Sequence, residues 1–227
     1  MQLAPLPTPQ ASAVGGHVDR RRPHTVNHVI TGFLGDLEIV LASYDNGDVV
    51  GYYVNEIFDE ILRRHARSAD CLLKTRRDPC QQPHALVKPF FQENVCRSAW
   101  GLAIHSQSRL IAVSSNALEI TVFAFAIKDE TEQGDCLHCV CGGDVESQIR
   151  RRFRNWKIYI SMGNYVKNMP NIAFIDDEAG EAEMICAMDI YRSAWVANIW
   201  KPGQPARRFE KKPSFREMNG PRGHETT

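Results

Sequence analysis

The chain has 227 residues, 43% of them hydrophobic and 24% charged, with 27 basic against 27 acidic side chains. That length fits one large domain or two small ones, and the composition is ordinary for a globular protein. Zero net charge excludes a whole-protein field that would draw in nucleic acid or anionic lipid, and no apolar run approaches the roughly 20 residues that span a bilayer.

Residues 1–27 read as a disordered tail. Pro5, Pro7, Pro9, Gly15 and Gly16 interrupt regular structure, and Arg20, Arg21 and Arg22 add a basic cluster. The stretch has neither the basic start nor the apolar middle of a secretory signal. The seven cysteines therefore read as reduced thiols of the cytosol or nucleus.

Leu37–Tyr44 is a short apolar β run, and Asn46-Gly47 follows it. Asn-Gly is a strong hairpin signal, because both central residues of a type I′ turn need positive φ. Val49–Val54 is the returning strand. Glu56–Arg67 reads as a helix with Ile57, Phe58, Ile61 and Leu62 able to share one face, and a loop rich in proline and cysteine completes an insertion over 56–94.

The strand pattern then returns twice. Ala99–His105, Arg109–Ser115 and Glu119–Ile127 form one set, with a turn at Asn116. A polar insertion over 128–155 separates it from Asn171–Ile175, Met184–Ile190 and Ala194–Trp200, with turns at Asp176–Gly180 and Arg192. Residues 201–227 read as a disordered basic tail. Asn46, Asn116 and Arg192 lie some seventy residues or more apart, longer than the roughly 40–45 of a compact propeller blade, and the insertions account for the surplus. Near-continuous Val, Ile, Leu and Ala in the strands points to burial on both faces, as when blades stack around an axis. The expected fold is all-β: an incomplete WD-repeat-like β-propeller of about three blades over 28–200, with one short helix and disordered termini.

Several clusters invite a chemical reading. Cys136, Cys139 and Cys141, with His138, contain a Cys-x-x-Cys knuckle, and zinc takes four such ligands in a tetrahedron. All four fall within six residues and no second knuckle follows, so no metal site is assigned; the stretch reads as a loop of free thiols. Asp176, Asp177 and Glu178 read as a solvated hairpin loop closed by Gly180. Arg150, Arg151, Arg152, Arg154 and Trp156 mix guanidinium groups with an aromatic, which suits phosphates and stacked bases, acidic protein partners or an import receptor. The same run also reads as a loop feeding a strand, with Trp156 and Ile158 turned inward. No catalytic motif stands in usable context, so neither a catalytic residue nor a cofactor is expected.

Gly35–Tyr53, Val95–His105, Arg109–Asn116 and Ile185–Ile190 resemble a fungal family, with Ser98–His105 the most specific stretch. The family is the regulator whose loss makes ribonucleotide reductase transcription constitutive, a WD-repeat-like propeller protein. The resemblance covers about residues 27–200. It implies a nuclear role in damage-linked gene regulation and suggests adaptor work for a cullin-type ubiquitin ligase. Repeated blades, long loops and the lack of catalytic motifs read as a non-enzymatic interaction scaffold of the nucleus, the cytoplasm or both, whose expected partners are transcription or cullin ubiquitin-ligase components, with no membrane and no small-molecule substrate. A closed propeller needs about four to eight blades; three blades and the lack of a Trp-Asp dipeptide at any blade end read as an N-terminal part of a longer member or a truncated paralogue. Two alternatives stand beside the scaffold: a nucleic-acid-binding regulator using the basic segments, and a truncated fragment without function.

Overall fold

The computed structural model describes residues 25–73, 87–127, 150, 152 and 154–209. Within them lie three four-stranded antiparallel sheets, each a meander in chain order. Blade 1 holds β1 (Val26–Leu34), β2 (Leu37–Tyr44), β3 (Asp48–Tyr53) and β4 (Phe91–Asn94), with helix α1 (Val54–Leu73) between β3 and β4. Blade 2 holds β5 (Ala99–His105), β6 (Leu110–Ser115), β7 (Glu119–Ala124) and β8 (Trp156–Ser161). Blade 3 holds β9 (Asn171–Asp176), β10 (Ala182–Met188), β11 (Ala194–Asn198) and β12 (Arg207–Phe209). The first strands of the blades, β1, β5 and β9, touch one another in sequence and so lie innermost. This is an arc of three propeller blades.

Two aliphatic layers hold the arc together. Ile39, Leu41, Val49, Ile111 and Val113 are fully buried between blades 1 and 2; Leu110, Ala112, Ile120, Val122, Ile160 and Ile185 are fully buried between blades 2 and 3. Each large aliphatic side chain so buried contributes about 1.5–3 kcal/mol. A third, smaller cluster lies on the other side of blade 1, where Ile57 of α1 packs on Ala42, Tyr44, Val50 and Tyr52. The four apolar residues expected to share a helix face do not. Phe58 and Leu62 are exposed, and the buried acid on α1 is Glu60, paired with Arg63 and Arg64 at 2.9 Å each.

Three strands lie outside the expected set, β1, β4 and β12, and β8 follows the second reading of the arginine run, a loop feeding a strand, with Ile158 buried and Trp156 half-buried. β1 begins inside the stretch assigned to the N-terminal tail, and β12 pairs with β11 inside the stretch assigned to the C-terminal tail. β4 closes the first insertion by pairing with β3.

The Asn46-Gly47 hairpin is not the expected type I′ turn. Only Gly47 takes positive φ, 86°, and its N–H bonds to the Tyr44 carbonyl at 3.0 Å. That is a three-residue loop ending in a left-handed residue. The same turn recurs in the equivalent hairpin of each blade. Leu118 (φ 62°) bonds to Ser115, and Arg192 (φ 65°) bonds to Asp189. The repeat is conformational; the three turns share no sequence.

Candidate functional site

Blades 1 and 2 meet at their outer edge through aromatic rings. After the first insertion the chain returns through Phe90, whose N–H bonds to the Gly51 carbonyl at 3.1 Å, and enters β4 at Phe91. Phe90 stacks on Tyr53 with ring centroids 4.2 Å apart, and a Cβ at Gly51 would lie 2.9 Å from the Phe90 ring, so this approach needs glycine. Phe91 meets Phe123 edge-on at 4.9 Å and Phe125 at 5.7 Å. Such pairs add about 0.5–1.5 kcal/mol each beyond the area they bury.

Beside this cluster lies an open cleft of about 240 Å³, lined by Phe91, Phe123, Phe125, Trp156, Lys157 and Glu93 among others. Lys157 bridges the blades. Its Nζ is 3.2 Å from Glu93 Oε2 and 5.1 Å from the centre of the Phe123 ring. Arg154, exposed, lies over Trp156 at 4.7 Å. The cleft thus has aromatic walls and one neutralised lysine, and the ring of one lining residue, Trp156, carries the exposed guanidinium of Arg154, whose charge no carboxylate in the described ion pairs offsets. It can seat one flat or aliphatic side chain and draw an acidic group to its rim.

The expected basic stripe is dispersed. Arg150 lies over Trp200 at 5.1 Å with Asp177 3.8 Å away, on blade 3. Arg152 is 1% exposed and donates to the backbone carbonyls of Ser108, Arg109 and Phe125. Desolvation, with Arg109 beside it and Glu181 opposing, lowers its pKa to about 10, so it stays charged at neutral pH. Arg152 is therefore a structural cation, not a surface contact, and the described arginines form no continuous phosphate-binding stripe. Of the expected interaction residues, Trp156 lines the cleft and Arg154 lies over its ring. Arg151 lies outside the described residues, as do Cys136, Cys139 and Cys141.

Trp195 and Trp200 are core residues. Their indoles donate to Asp189 Oδ2 at 3.0 Å and to the Ala182 carbonyl at 2.8 Å. The acidic loop after β9 is organised by its own backbone. Asp177 Oδ1 accepts from the Ala179 and Glu181 N–H groups, and Asp176 holds His105 of blade 2 at 3.0 Å.

None of the curated proteins matches the chain. Among solved structures, the beta-propeller domain of Cps50 (Swd1) from Myceliophteria thermophila matches at 7% identity and a TM-score of 0.38, over 82% of this chain and 42% of that one. The chain thus spans less than half the length of that propeller. The family model described as CRT10 matches residues 16–202, most of the sequence. The chain belongs to the CRT10 family.

Proposed function

We propose that this chain is a non-enzymatic protein-interaction scaffold in regulation of ribonucleotide reductase transcription, acting in the nucleus or between nucleus and cytoplasm. Its partners on this reading are transcription or cullin ubiquitin-ligase components. Family membership supports the regulatory part of the reading. The observation that carries the binding part is the cleft between blades 1 and 2: aromatic walls, a volume suited to one inserted side chain, and the exposed Arg154 stacked on the lining residue Trp156. Aromatic and arginine groups are the residue types that dominate protein-interface energetics. The partner segment this chemistry recognises carries an apolar or aromatic anchor next to an acidic residue.

The test is affinity purification of the tagged chain from its native host beside Arg154→Glu and Phe125→Ala. Arg154 is exposed and Phe125 is half-buried at the edge of the core, so circular dichroism checks that each variant still folds. Partners recovered with the wild type and lost with both variants support the cleft. Equal recovery with all three places the binding surface elsewhere, and recovery of nothing but chaperones refutes the scaffold.

A further inference from the structure

The two ends of the blades are built differently. At one end both insertions leave and re-enter, and the cleft lies there. The other end holds the hairpin between the second and third strands of each blade and the connection from one blade to the next. Backbone bonds tie these segments into one surface. The Val95 N–H donates to the Gly47 carbonyl, Asn116 to Ser98, Met162 to Leu118 and Ile190 to Asn168, at 3.0–3.3 Å.

Charge is sorted across this hairpin end, although the whole chain carries no net charge. Its aspartates are engaged within the fold. Asp45 accepts from the Ser98 hydroxyl, Asp48 from the Asn46 and Asn94 amides, and Asp189 from its turn and the Trp195 indole. Half-buried Glu119 is the remaining acid of these segments. The cations Arg97, Lys167 and Arg192 are exposed, and none has a carboxylate partner in the described ion pairs.

Between blades 2 and 3 the same surface is aromatic. The connection from β8 to β9 is pinned by Met162, Val166 and Met169, all buried, and the chain among them displays Tyr165, 87% exposed. The neighbouring hairpin displays Ile190 at 54% and Tyr191 at 70%. The bond from Ile190 to Asn168, and another from the Lys167 N–H to the Asp189 carboxylate, lock the two segments together. Tyr165 and Lys167 lie at the seam of two described blades, so their exposure does not depend on what adjoins blade 3. Tyrosine and arginine held on a rigid base are the residue types of a protein-binding hot spot. Three cations are few for a nucleic-acid backbone, whose binding rests on neutralising several phosphates.

We propose that the hairpin end of blades 2 and 3 is a second docking surface, which takes an acidic segment of a partner protein. An aromatic or aliphatic side chain of that segment sets against Tyr165 and Tyr191, and its carboxylates meet Lys167 and Arg192. Charge complementarity selects this occupant: the surface offers unpaired cations while its own aspartates are already engaged. It lies at the opposite end of β7 and β8 from the cleft and does not rest on the reading of the cleft.

Fluorescence anisotropy of a labelled random copolymer of glutamate and tyrosine, titrated with the purified chain, reads this binding. The wild type should bind, with an affinity that falls as salt rises. Tyr165→Ala and Lys167→Glu, both at exposed positions and checked for folding by circular dichroism, should each weaken binding about tenfold. Arg154→Glu, beside the cleft, should leave it unchanged. A single-stranded oligouridine of matched charge should bind more weakly than the copolymer. No binding of the copolymer, or binding that Tyr165→Ala and Lys167→Glu leave intact, would overturn the proposal. Loss with Arg154→Glu alone would overturn it by assigning the acidic segment to the cleft. Tighter binding of the oligouridine would overturn it in favour of a nucleic-acid surface.

Discussion

Asp189 anchors the turn between β10 and β11 in blade 3, and removing it has a calculable cost. The residue is 4% exposed, in the turn between β10 and β11. Its Oδ1 accepts from the Tyr191 and Ser193 N–H groups at 2.9 Å each, and its Oδ2 from the Trp195 indole at 3.0 Å. Burial alone would raise its pKa, but the bonds from Ser193, Trp195 and Tyr191 more than offset that and hold it below the ordinary aspartate value. In Asp189→Ala the turn N–H groups reach water at little cost. The indole of buried Trp195 does not, and an orphaned buried donor costs about 1–3 kcal/mol. With the charged acceptor lost from the turn, the total is about 3 kcal/mol, or about 6–12 °C in Tm for a chain of this size. Asp189→Asn keeps an acceptor for the turn but sets an amide N–H against the indole N–H, and should lose about 1–2 kcal/mol. Urea unfolding followed by circular dichroism measures both, and a double-mutant cycle with Trp195→Phe isolates the pair. A loss below about 1 kcal/mol for Asp189→Ala, or no coupling to Trp195, would refute this account of the turn.

The remaining predictions use the same assay. A group whose pKa is depressed by folding contributes stability above its unfolded value, about 3.9 for aspartate, and loses it as pH falls through the lower folded value. Wild-type stability should therefore fall more steeply below about pH 4 than that of Asp189→Asn. Gly47→Ala should lose more than about 1 kcal/mol, since φ is 86° and the new Cβ would lie 2.7 Å from the Arg97 carbonyl oxygen. Arg192→Gly should stabilise by up to about 1 kcal/mol, because an exposed arginine now occupies the left-handed conformation of the matching turn. Arg152→Met should cost about 2–4 kcal/mol by stripping the donor from buried carbonyls, and Arg152→Lys should recover only part of it, lacking the planar fork.

Burial on two sides decides which elements the sequence reveals. β2, β3, β6 and β7 are covered by neighbouring sheets or by α1, so their cores are runs of Ile, Val, Leu and Ala that mark them without a structure. β4, β8 and β12 are the outermost strands of their blades. β12 is exposed along its whole length and β8 in alternation, and ladder pairing rather than apolar content holds them. β1 alternates too, since its rear side lies open at Val29 and Phe33. Arg152 misleads for a related reason. A run of arginines normally lies in solvent, and only the convergence of carbonyls from the β5–β6 turn and from Phe125 gives this one a buried role. No pattern along the chain announces that convergence, nor that Phe91 will meet Phe123.

The position of the cleft connects fold to function. Its walls come from the end of β7, Phe123 to Phe125, and from the two points where an insertion re-enters a sheet: Phe91 and Glu93 in β4, and Asn155, Trp156 and Lys157 at the start of β8. The blades themselves are fixed by two-sided packing, where a single methylene matters. Segments outside that packing can change in length and composition at small energetic cost. The aromatic and cationic groups therefore sit where the packed repeat meets the chain returning from each insertion, with Phe123 and Glu93 on sheet strands and Phe125 and Trp156 at strand ends. On the proposed reading of the cleft as a binding surface, its geometry would come from the blades and its side-chain chemistry from the residues at which the chain returns to them.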